Sequence, residues 1–146
     1  MKNTNPFIEK FQGSFISMMR WPQWDALRES LIKKTDLTWY VYAIGETPPS
    51  TSLSVDQLAD FLTEIDELLR KEHQEEYCGI VYADDRDAPT FIKIYDPGNL
   101  GVTCGFSENP PLPGWTLSLV PPCDLEHSQI LPASRKRWWK RLFQSL

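Results

Sequence analysis

SVDQLADFLTEIDELLRKEHQEEYCGIVYADDRDAPTFIKIYD, residues 54–96, contains a change of period that decides the fold class. In its first half Val55, Leu58, Phe61, Leu62, Ile65, Leu68 and Leu69 recur at three- and four-residue steps and make one broad apolar stripe on a helix. Ser54 and Gln57 supply a capping-box pattern at its start, and the helix is expected to run to about His73. In the second half the period falls to two. YCGIVYAD, 77–84, and TFIKIYD, 90–96, flank the turn-forming DRDAP and read as an antiparallel hairpin. Ile92 and Ile94 share one face of the second strand, and Lys93 points to the other.

Upstream, Phe7, Ile8, Phe11, Phe15, Ile16 and Met19 keep a helical spacing from Pro6 to Met19, with Asn5 as cap and Pro6 in the first position. Trp24, Leu27, Leu31 and Ile32 predict a second helix over 22–35, and TWYVYAIG, 38–45, reads as a strand with both faces largely covered. ETPPSTS is a loop. Downstream, LGVTCGFS, 100–107, and WTLSLV, 115–120, are further strands, separated by the rigid NPPLPG. The order of elements predicts an α+β fold: an antiparallel sheet of four or five strands with two N-terminal helices and one long central helix gathered on one face, and a C-terminal basic amphipathic helix.

At 146 residues the chain suits one domain that can bury a core without disulfide or metal staples, assigned to 1–134, with 121–134 as a Pro-containing lead into the tail at 135–146. Charge divides along the same line. All 20 Asp and Glu precede residue 134 and five of the 15 Lys and Arg follow it, so the body carries −10 and the tail +5. An acidic body argues against nucleic-acid binding, which needs cations to replace counterions along the phosphates. Cys78, Cys104 and Cys123 form an odd set without repeated spacing, MKNTNPFIEKF has no apolar leader, and no stretch reaches the roughly 18 to 20 apolar residues of a membrane span. Reduced thiols and a cytoplasmic location are expected.

The densest chemical signal is RKRWWKRLF, 135–143. On a helical wheel Trp138 and Leu142 align, Trp139 and Phe143 lie beside them, and Arg137, Lys140 and Arg141 fill the remaining arc behind Arg135. Such a helix docks on a partner protein, on its own body or on that of a second copy, or lies on a membrane surface. Asp60, Glu64, Glu67, Glu72, Glu75 and Glu76 make the central helix and its exit the natural acceptor for those cations. These residues point to a non-enzymatic binding or adaptor module.

The alternative is an enzyme or small-ligand binder built on the Gly- and Pro-rich stretch 96–115, with Asn99, Cys104 and Trp115 as candidates. Cys104 is its one evident nucleophile, yet neither His73 nor His127 is near it in sequence to serve as base. PGNLG lacks the lysine and following helix of a phosphate loop. Cys123, His127, Cys78 and Cys104 lack the close pairs of a structural zinc site, and Asp84, Asp85, Asp87 and Asp96 are better explained by turn chemistry than by cation binding. No cofactor and no metal is expected.

Overall fold

The computed structural model describes residues 5–98, 112–125, 138, 139, 141 and 142. Within them the chain forms α1 (Pro6–Phe11), β1 (Ile16–Ser17), α2 (Trp21–Lys33), β2 (Tyr40–Ala43), α3 (Val55–Glu72), β3 (Val81–Ala83), β4 (Phe91–Ile94) and β5 (Trp115–Ser118). The five strands lie in the order β1-β3-β4-β5-β2, and every neighbouring pair is antiparallel. Among the described residues, no helix is long and apolar enough to cross a membrane.

The central helix forms where its caps and stripe place it. Ser54 accepts from the Gln57 N–H at 3.2 Å and Gln57 Oε1 accepts from the Ser54 N–H at 2.9 Å, while Leu58, Phe61, Leu62, Ile65, Leu68 and Leu69 are all buried. The hairpin also forms as read, with Val81 opposite Ile94 and Ala83 opposite Ile92. Asp84 closes it by accepting from the Thr90 and Phe91 N–H groups, and Asp85 accepts from those of Asp87 and Ala88. Asp96 likewise accepts from the Gly98 N–H at 2.8 Å, so three of the four carboxylates around the hairpin are committed to turn backbone.

Three expectations are corrected. The first helix ends at Phe11, not Met19. The Gln12 N–H closes on Ile8 and that of Gly13 on Lys10, after which Ile16 and Ser17 pair with Ala83 and Tyr82 as an edge strand. The three- and four-residue spacing of Phe7, Phe11 and Phe15 persists across this break because all three rings meet Phe91, at centroid distances of 5.1, 6.0 and 5.7 Å. Secondly, pairing in the third strand begins at Val81 rather than Tyr77. Gly79 takes a left-handed φ of 72°, and the Cys78 and Gly79 N–H groups bond to the Met19 and Met18 carbonyls instead.

Thirdly, helices cover both faces of the sheet. Trp24, Leu27 and Leu31 of α2 and the α3 stripe bury Val41, Ala43, Val81, Ala83, Ile92, Ile94, Trp115 and Leu117. On the other face α1 brings Phe7 onto Tyr42, Ile44 and Phe91. Lys93 therefore does not point into open solvent: its ammonium lies over the Phe11 and Phe15 rings, 4.2 and 4.1 Å from their centroids. The stretch 100–107, read as a strand, lies outside the described residues.

Candidate functional site

Trp138, Trp139, Arg141 and Leu142, the described residues of the +5 segment, meet the body along α3. Helical period places Phe61, Glu64 and Ile65 within one turn of each other; Phe61 and Ile65 are fully buried, and Glu64 sits at the margin of the stripe. Trp138 stands against this margin, 6.5 Å from the Phe61 ring and 5.5 Å from that of Trp115, the latter edge-on. Trp139 approaches Phe61 at 6.5 Å, also edge-on, and Leu142 joins the same apolar cluster. All three are half-buried. Arg141 reaches Glu64 at 3.5 Å, while its side chain remains 67% exposed. Asp60, Thr63, Glu64, Arg141 and Leu142 line an open cleft of about 410 Å³ beside this contact.

Of the residues singled out in sequence, Trp138, Trp139, Arg141, Leu142 and Trp115 are thus brought together. Trp115 acts there as the first residue of β5, almost wholly buried, and not as a loop side chain. Arg135, Arg137, Lys140, Phe143, Asn99 and Cys104 lie outside the described residues, as do His127 and most of the proposed C-terminal helix. Cys78 is buried, burial pushes its thiol pKa up, and His73 Nε2 is 2.9 Å from the Cys78 carbonyl oxygen, not its sulfur. Among the described residues no group of three or more His, Cys, Asp or Glu side chains converges as a metal site.

Two polar clusters were not anticipated. Where α2 crosses α3, Asp66 Oδ1 accepts from Trp24 Nε1 at 2.9 Å and from Arg70 Nε at 2.8 Å, and Asp25 Oδ1 takes Arg28 at 2.6 Å and Arg70 at 2.5 Å. Arg70 also stacks over Trp21, its guanidinium carbon 4.7 Å from the ring centroid. Burial acts to raise the Asp25 pKa, but hydrogen bonds and charge from Arg28 and Arg70 outweigh it and hold the carboxyl below its usual value. The i,i+3 spacing of Asp25 and Arg28 and the i,i+4 spacing of Asp66 and Arg70 are the sequence signals that announce this network.

The second cluster is a cross-strand row. The register sets Ser17, Tyr82, Lys93, Thr116 and Tyr42 side by side across all five strands on the α1 face. Burial alone depresses the Lys93 pKa and is the leading cause that raises those of Tyr42 and Tyr95. Tyr42 links the row to the second core, and among the row's own residues no acid, base and nucleophile converge.

In comparisons with known proteins, the chain matches no family model, no curated protein and no solved structure.

Proposed function

We propose that the chain is a non-enzymatic binding module that recognises an acidic protein surface through Arg135, Arg137, Lys140 and Arg141, with Trp138, Trp139 and Leu142 fastening that segment to the body. The observation that carries this reading is the opposite use of neighbouring side chains. The two tryptophans turn to Phe61 and Trp115, while Arg141 keeps two thirds of its side chain exposed and spends one weak contact on Glu64. An exposed cation of this kind gains little from a single surface carboxylate and remains available to a partner's. Rings turned inward also favour a protein partner over a membrane interface, where they would face the lipid. The acidic body of a second copy is itself a surface of the right sign, so self-association is the first partner to examine.

The test compares the wild-type chain with a variant in which Arg135, Arg137, Lys140 and Arg141 are all changed to Glu. Sedimentation at low and high salt reads self-association, and affinity capture reads other partners. The reading expects binding that the variant loses and that added salt weakens. Equal capture of every partner by both proteins, with no charge-dependent self-association, would overturn it.

A further inference from the structure

Lys93 lies within β4, and its ammonium rests against two rings supplied from outside the sheet. Phe11 at the end of α1 and Phe15 in the connection to β1 have their centroids 4.2 and 4.1 Å from Nζ. The register puts Tyr82 of β3 on one side of the residue and Thr116 of β5 on the other. Tyr95, next along β4 on the same face, meets Tyr82 edge-on. None of these groups carries a negative charge at neutral pH. The carboxylates nearest in the fold are spent elsewhere: Asp84 on the Thr90 and Phe91 N–H groups and on Lys10, and Asp124 on the Tyr42 hydroxyl.

Among the described residues no hydrogen-bond acceptor or carboxylate reaches the Lys93 ammonium. Lys10 and Lys34 differ, the first meeting Thr90 and Asp84 and the second the Asp87 carbonyl. The amine is still open at one end: Lys93 is only partly buried, and its Nζ is not sealed from solvent as the Thr116 hydroxyl beside it is. Ring faces attract a cation without restoring the water it has lost. Burial accordingly holds the Lys93 pKa below the ordinary lysine value, and a larger share of it is free base at neutral pH than of a lysine in water. The free base is the nucleophilic form.

We propose that Lys93 is an acylation site, which takes a small uncharged acyl group from an acyl thioester. The neutral Nζ attacks the thioester carbonyl carbon, the C–S bond breaks, and the departing thiolate takes up the proton that the new amide nitrogen sheds. The products are an amide and a thiol, and no oxidant or reductant enters. Acylation exchanges a poorly hydrated ammonium for a neutral amide, which the apolar seat of Phe11 and Phe15 tolerates better. The site lies on the opposite face of the sheet from the contact of Trp138 with α3, so it stands or falls separately from the adaptor reading.

The experiment incubates the full chain with N,S-diacetylcysteamine, a small neutral thioester, at about pH 7 and at about pH 10.4, the ordinary lysine value. Peptide mass spectrometry reads the acetylation rate of Lys93 against those of Lys33 and Lys71, which are exposed on α2 and α3. The expected result is a Lys93 rate several-fold above both at the lower pH, with the lead gone at the higher, where the other amines have also lost much of their charge. Phe15→Ala opens the seat to water, and the ratio of the Lys93 rates at the two pH values, which cancels steric access, should then approach that of Lys33. A Lys93 rate no greater than that of Lys33 at the lower pH, or a lead of the same size at both, would overturn the proposal. If Phe15→Ala failed to fold, the pH ratio of the wild type would decide.

Discussion

Replacing Asp66 by Ala strikes the junction of α2 and α3 at its one shared acceptor for Trp24 and Arg70. Trp24 is fully buried, and its indole N–H has Asp66 Oδ1 as partner at 2.9 Å. Losing that oxygen strands a buried donor, which costs about 1–3 kcal/mol. The pairs with Arg70 at 2.8 Å and Arg28 at 3.6 Å are lost as well, but the Arg70 side chain is 41% exposed, so each is worth roughly 0.2–1 kcal/mol after screening. Asp66→Ala should therefore destabilise the fold by about 2–4 kcal/mol, most of it from the indole. Trp24→Phe keeps the ring in the core and removes the donor. In that background Asp66→Ala should cost only the exposed pairs, leaving a coupling of about 1–2 kcal/mol between the two sites. Urea unfolding of the four proteins, read as midpoints at constant m, measures the cycle. Additivity within about 0.5 kcal/mol would refute the assignment of the cost to the stranded indole.

Lys93→Met should stabilise the protein at neutral pH, because an ammonium held between Phe11 and Phe15 loses hydration that a thioether does not need. The folded-state Lys93 pKa is depressed, so the wild type gains stability as pH climbs from below that value towards the unfolded value of about 10.4, and the gap to Lys93→Met should narrow over that window in pH-dependent urea midpoints. Asp25 titrates with the same sign in a lower window: its carboxyl is held low, so its contribution is complete above about pH 4 and disappears as pH falls through the folded value. Wild type and Asp25→Asn should thus converge at acid pH, from a gap of only about 0.5 kcal/mol for so exposed a pair, measured by the same midpoints. Gly79→Ala forces a side chain into the left-handed region and against the Tyr77 ring at 3.3 Å, and should lower stability by about 1–2 kcal/mol in thermal unfolding. Trp138→Ala removes the ring shared by Phe61 and Trp115, and limited trypsin digestion should then cut after Arg141 several-fold faster than in wild type.

What was legible in the sequence was what local rules determine. Ser54, Gln57 and the seven-residue stripe carry their own start, face and length, and α3 begins within one residue of the position they name. Alternation around DRDAP likewise gave the pairing and faces of β3 and β4, though not the point where β3 begins. What was not legible depended on contacts between distant segments. Phe15 keeps a helical spacing from Phe11 because both rings answer to Phe91, eighty residues and one sheet away, so the period survives where the helix does not. Lys93 reads as a solvent position from its neighbours Ile92 and Ile94, and only the placement of α1 on that face encloses it. The acidic character of α3 announced an acceptor for the tail's cations, and Glu64 serves Arg141 as one.

The tail contact unites these scales. A short amphipathic segment gains little order from helix propensity alone, so the surface that receives Trp138, Trp139, Arg141 and Leu142 supplies it. Here the receiving surface is apolar at Phe61 and Trp115 and acidic at Glu64, in the same arrangement as the rings and cation that meet it. The half-burial of Trp138 and Trp139 supplies the greater share of the attachment, because an exposed pair such as Arg141–Glu64 contributes at most about 1 kcal/mol. A partner that engages the cations therefore need not break the attachment, whereas one that engages the rings must displace them from Phe61. If the proposed recognition holds, reversing all four cations and removing the Trp138 ring separate the two cases: the first should abolish partner binding without freeing the rings from Phe61, and the second should loosen the attachment while the cations continue to bind.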